Sequence, residues 1–135
     1  MAESIIVHFR NATANEIFSF IASRCEKAAD RSMYFFPNNA SYLLILSAYS
    51  DYDIEYDSAD KEAIESSLQC RPSFSMDVEL RRSQQNAACH AAKKIVSELC
   101  GIHDLVVDDG HRIWNREQIA TDDDFLVIYR HEHTA

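Results

Sequence analysis

A chain of 135 residues, 47% hydrophobic and 26% charged, has the length and balance of one globular domain rather than of a disordered segment. Lys and Arg number 13 against 22 Asp and Glu, a net charge of −9, which disfavours capture of a nucleic-acid backbone by counterion release. With Gly101 and Gly110 as the only glycines, a dinucleotide fingerprint, a P-loop and a nucleophile elbow are excluded.

The N-terminus carries Glu3 where a signal peptide needs positive charge, and its apolar run stops at His8. Residues 4–10 read as a strand, and Ile5 and Val7 alternating with Ile6 and His8 place it centrally in a sheet. Thr13 with Glu16 three residues on forms a capping box. Ala14, Ile17, Phe18, Ile21, Cys25 and Ala28 follow at helical spacing. Residues 32–36 and 42–49 are β-rich and flank Pro37-Asn38-Asn39, the composition of a hairpin. No apolar stretch approaches the ~20 residues of a membrane span.

Residues 51–57 alternate acids with Tyr52, Ile54 and Tyr56, which predicts a continuing strand. Asp57 or Ser58 caps an acidic helix to about Gln69, with Ala59, Ala63, Ile64 and Leu68 inward. Residues 74–81 alternate again: Phe74, Met76, Val78 and Leu80 on a dry face, Ser75, Asp77, Glu79 and Arg81 on a wet one. Residues 83–100 form the clearest helix, with a stripe of Ala87, Ala88, Ala91, Ala92, Ile95, Val96 and Leu99 and Gly101 as its C′ stop. The small alanines imply close packing on a sheet. Residues 104–107, the turn Asp108-Asp109-Gly110 and residues 112–114 make a hairpin. Asn115 caps one helical turn, residues 125–129 read as a last strand, and the tail from His131 is loose. Two main helices packed on one face of a mostly antiparallel sheet make this an α+β fold, a ferredoxin-like βαββαβ core with additions.

The segment from Asp51 is the most unusual. On a strand, Asp51, Asp53, Glu55 and Asp57 share one face, with Tyr52, Ile54 and Tyr56 toward the core. Residues 51–65 hold seven acids against Lys61 alone, a local balance of −6. Such self-repulsion destabilises a fold unless something offsets it. One reading is a docking face for a cationic protein, built from Asp51, Tyr52, Asp53, Glu55, Tyr56, Asp57, Asp60 and Glu62, with Tyr52 or Tyr56 as aromatic anchors if exposed. The other is an edge strand guarded by charge. The acids also match calcium-loop spacing, but Tyr56 stands where the turn requires glycine.

Cys25, Cys70, Cys89 and Cys100 contain no Cys-x-x-Cys pair. Cys89 and Cys100, eleven residues apart on one helix, lie ~16 Å apart in rise, too far to share zinc. Free thiols in a reducing cytoplasm are expected, with no metal and no cofactor. No spacing joins the histidines, cysteines and serines into a triad.

Residues 105–119, with Asp109-Gly110, Trp114, Glu117 and Ile119, resemble the hairpin-plus-Trp ending of small immunity proteins of bacterial toxin–immunity systems. The resemblance covers about 15 residues and implies a small cytoplasmic protein without catalysis that binds one toxin domain. Opposite charge on a basic nuclease toxin would accelerate capture, with carboxylates standing where substrate phosphates would lie. Two alternatives are an acidic mimic of DNA and a small ferredoxin-like enzyme or ligand-binding module. The module would hold Asp77, His90 or His103 in a pocket with shifted pKa values.

Overall fold

The computed structural model describes residues 3–27, 33–38, 41–121, 125 and 126. Its described strands form one sheet in the order β2-β3-β4-β5-β1-β6-β7. In chain order these are β1 (Glu3–Arg10), β2 (Glu26–Lys27), β3 (Met33–Asn38), β4 (Ser41–Ala48), β5 (Phe74–Leu80), β6 (Asp104–Asp108) and β7 (Ile113–Asn115). The helices are α1 (Ala14–Ala22), α2 (Tyr52–Glu55), α3 (Ser58–Leu68), α4 (Gln85–Cys100) and α5 (Arg116–Thr121).

Every strand pair is antiparallel. The order β4-β5-β1-β6, with α1 after β1 and α4 between β5 and β6, is the ferredoxin-like core. The hairpin arm β2-β3 extends one edge and β7 the other, while α2 and α3 are inserted between β4 and β5.

Strand alternation divides the side chains between two cores. Ile5, Val7 and Phe9 of β1 join Met76, Val78, Leu44, Leu46, Leu105 and Val107 against Ile17 and Ile21 of α1 and the alanine stripe of α4. Each fully buried aliphatic side chain there contributes roughly 1.5–3 kcal/mol. A smaller cluster on the other face joins Ile64 and Leu68 of α3 to Tyr52 and Val106.

Thr13 caps α1 with the reciprocal Glu16 contact, and Asn115 and Gln118 make the corresponding exchange at α5. Several boundaries differ from the sequence reading. The first helix stops at Ala22, because Ser23 and Arg24 turn the backbone onto Phe20 and Ile21. Cys25 therefore lies beyond it, and Ala28 and Ser32 fall outside the described residues. Pro37 and Asn38 belong to β3, not to the turn, and Asn39 lies outside the described residues. Ala14, Ala59, Ala63 and Ala87 are exposed; a small side chain at a stripe's margin gains too little burial to set helix rotation. A 3-10 turn, Arg82–Gln84, precedes α4. Gly101 is right-handed, with φ −73°, since the chain continues by His103 N–H bonding Leu99 O rather than by a left-handed stop. Phe125 and Leu126 are buried in a turn, Leu126 at φ 65°, and the rest of the expected last strand lies outside the described residues, as does the tail.

The largest departure from the sequence pattern lies at residues 51–57. They form α2 and the N-cap of α3, not a strand. Ile54 and Glu55 amides bond Asp51 O at 3.1 and 2.8 Å, closing a helical turn. Tyr52 and Tyr56 stand four residues apart, so one turn puts both on the sheet side. Ile54, two residues from each, is thrown outward and is 82% exposed. The four acids therefore do not line one face of a strand, and neither the guarded-edge reading nor the inward Ile54 holds.

Candidate protein-binding surface

The turn α2 is held from beneath and from both sides. Tyr52 is buried, and its hydroxyl donates to Glu65 Oε2 at 2.7 Å. Asp53 receives Lys61 Nζ at 3.1 Å and Arg71 at 2.5 Å, and both cations lie over the Tyr52 ring. Arg71 first, then Lys61, pulls the Asp53 carboxyl down to about 2. These exposed pairs add little stability, but they fix the turn's orientation. Tyr49 donates to Glu55 at 2.5 Å. Asp57 caps α3 through Asp60 N–H at 2.8 Å.

Of the eight residues singled out from the sequence, Asp51, Asp53, Glu55, Asp57, Asp60 and Glu62 are exposed. Tyr52 and Tyr56 are not the exposed anchors that were expected: the first is buried and the second half-buried. The apolar group at this surface is Ile54, which alternation assigned to the core.

Below the surface, four residues from four segments share one polar chain. Tyr56 donates to Asp108 Oδ2 at 2.6 Å, so its oxygen accepts from His8 Nε2 at 3.1 Å. That tautomer leaves His8 Nδ1 as acceptor for the Ser75 hydroxyl at 2.7 Å. Every donor thus points toward Asp108, whose Oδ1 accepts Gly110 N–H at 2.8 Å. His8 is fully buried; desolvation outweighs the Asp108 charge and lowers its pKa to about 4. Burial, then the Asp108 bond, pushes the Tyr56 hydroxyl upward. Asp108 borders a cleft of about 320 Å³ with Asp60, His111 and Arg112. The signal for this network was a histidine inside an apolar central strand.

The residues of the rival enzyme reading are not assembled. Asp77 lies on the α3 side of the sheet, His103 packs edge-on to Phe9 on the other, and His90 is exposed on α4. All four cysteines are free. Burial pushes the Cys25 and Cys100 thiols up to about 11, which opposes the thiolate a nucleophile requires. Among the described residues no three of His, Cys, Asp and Glu gather in a metal-holding group, and no helix is long and apolar enough to cross a membrane.

Comparison with protein-family models, curated proteins and solved structures returned no significant match.

Proposed function

We propose that this chain is a non-catalytic, protein-binding inhibitor, an immunity protein of the bacterial toxin–immunity type, acting in the cytoplasm on a basic toxin domain. The observation that carries the reading is Ile54, 82% exposed, at the tip of a turn locked by Tyr52, Lys61 and Arg71. An exposed apolar side chain with Asp51, Asp53 and Glu55 close by in the chain resembles an apolar anchor with a polar rim. Its rigidity lowers the entropy lost on docking. The carboxylates of Asp51, Glu55, Asp60 and Glu62 steer a cationic partner into contact. The buried chain ending at Asp108 supports a binding role over a catalytic one, because Ser75 is only 5% exposed and offers no accessible nucleophile.

Affinity capture with the tagged chain from a bacterial lysate at low and high salt, followed by mass spectrometry, identifies the partner. The purified partner is then titrated against Ile54→Asp and against a chain with Asp51, Glu55, Asp60 and Glu62 neutralised. A lost interfacial anchor costs ≥2 kcal/mol, so Ile54→Asp is expected to weaken binding about 30-fold. The neutralised chain loses mainly association rate, most strongly at low salt. Unchanged affinity in both variants, or capture of no basic protein, overturns the reading.

A further inference from the structure

His8 stands beneath α2. Its ring meets Tyr52 edge-on with 5.5 Å between centroids and Tyr56 with 5.4 Å. These are the two inward side chains of the turn, and Ile54 lies on its opposite side. His8 itself is fully buried. Imidazole is the side chain that ordinarily changes charge between pH 5 and 8, and here its access to water depends on whether α2 is closed over it.

Both ring nitrogens are committed. Nε2–H donates to Tyr56 and Nδ1 accepts from Ser75, so a second proton has to displace the Ser75 hydroxyl hydrogen inside the core. The surrounding groups do little to favour that proton. From α2 come the neutral Tyr52 and Tyr56. From β5 comes the Ser75 hydroxyl, with Asp77 one strand repeat away opposite Ile6. From α3, Asp60 acts on Tyr56, while Glu65 and Lys61 engage Tyr52, as does Arg71. Tyr49 meets Tyr56 edge-on, and Arg10 of β1 is bonded to Gln69. Asp108 of β6 is the charge that favours the imidazolium, but desolvation outweighs it and lowers His8 to about 4.

We propose that α2 is a proton-sensitive latch: closed, its tyrosines keep water from His8; open, it leaves the imidazole free to take a proton, so acid favours the open turn and withdraws Ile54 from its fixed presentation. The latch is a property of the turn itself, goes beyond the inhibitor reading and does not depend on it. Opening and protonation are linked reciprocally. The open imidazole takes its ordinary pKa of 6.5, above the closed value. Closure is therefore fully favoured above pH 6.5 and weakens as pH falls toward 4. From pH 7 to 5 the open fraction rises about 20-fold, in a range above the ordinary titration of carboxylates.

The test is amide hydrogen exchange of the full chain, read by ¹⁵N NMR from pH 7 to 5 and corrected for the intrinsic pH dependence of exchange. The Glu55 and Tyr56 amides, bonded to Asp51 O and Tyr52 O, are expected to lose protection about 20-fold. At every pH they should stay well below Ile95 and Val96 of α4, the mark of a local opening. In His8→Phe the protection of Glu55 and Tyr56 is expected to be constant over the same range. Four results overturn the latch: constant protection in the parent, an equal fall in His8→Phe, protection matching that of α4, or no protection at pH 7. The parent's imidazole titration decides independently of whether the variant folds. Half-protonation below pH 5.5 is expected, and a higher midpoint overturns the latch. The captured partner and Ile54→Asp bear on the inhibitor role alone.

Discussion

The Trp114 indole N–H donates to Asp109 Oδ2 at 2.7 Å, both side chains being buried. The other oxygen, Oδ1, accepts the amides of His111 and Arg112 at 2.8 Å each. One carboxylate therefore shapes the β6–β7 turn and fixes the tryptophan, over which Arg112 stacks at 3.8 Å. Gly110 supplies the φ of 88° that the turn requires.

Asp109→Ala leaves a buried indole N–H and two turn amides without their acceptor. Unsatisfied buried donors cost about 1–3 kcal/mol each where water cannot reach them. The expected loss is about 2–4 kcal/mol in urea denaturation. Asp109→Asn keeps one acceptor oxygen and is expected to lose about half as much. An Asp109→Ala chain as stable as the parent would show that the turn does not depend on this carboxylate.

His8 makes stability depend on pH. Its folded pKa is lowered to about 4 from 6.5, so the unfolded chain binds the extra proton between those values. The contribution is fully present above pH 6.5 and is lost as pH falls toward 4, for a total of about 3 kcal/mol. The stability difference between the parent and His8→Phe should therefore narrow on acidification from pH 7 to 4. A constant difference would mean that His8 does not titrate in this way.

Tyr56→Phe removes the hydroxyl shared by His8 and Asp108 while keeping the ring against Tyr52, 5.3 Å between centroids. It leaves His8 Nε2–H buried without its acceptor, so a loss of about 1–3 kcal/mol is expected. The His8 proton resonances, followed by NMR, should move with the variant.

Ala92 is fully buried where α4 meets the sheet. Ala92→Leu forces the helix away from its bed and is expected to cost about 1–3 kcal/mol. Ala87→Leu, at an exposed position of the same helix, should change stability by less than about 0.5 kcal/mol. Thermal unfolding of the pair reads this difference directly. Equal effects would contradict the packing of α4 described above.

The candidate surface shows where sequence pattern reaches its end. The acids from Asp51 to Glu62 are visible in the sequence as a charge cluster, and all six are exposed. Their arrangement is not legible there, because a four-residue turn and a strand share a signal. Tyr52 and Tyr56 fall on one side under either period, and the two periods differ in where they put Ile54 and Asp53. The turn is held by partners distant in sequence, Lys61 and Arg71 on Asp53 and Glu65 on Tyr52.

By itself the sequence determined the elements whose signals are local: the Thr13–Glu16 cap, the alanine stripe of α4, the alternation of β5 and the turn at Gly110. Each depends on residues within one or two helical or strand repeats. The tertiary structure alone decided which polar groups meet. His8 reaches Ser75 across 67 residues and Tyr56 across 48, and Tyr56 reaches Asp108 across 52. It likewise decided that α3 lies against β1, β6 and β7. Such contacts are set by strand order and helix placement, which arise from burial summed over the whole core and leave no periodicity in the chain to be read.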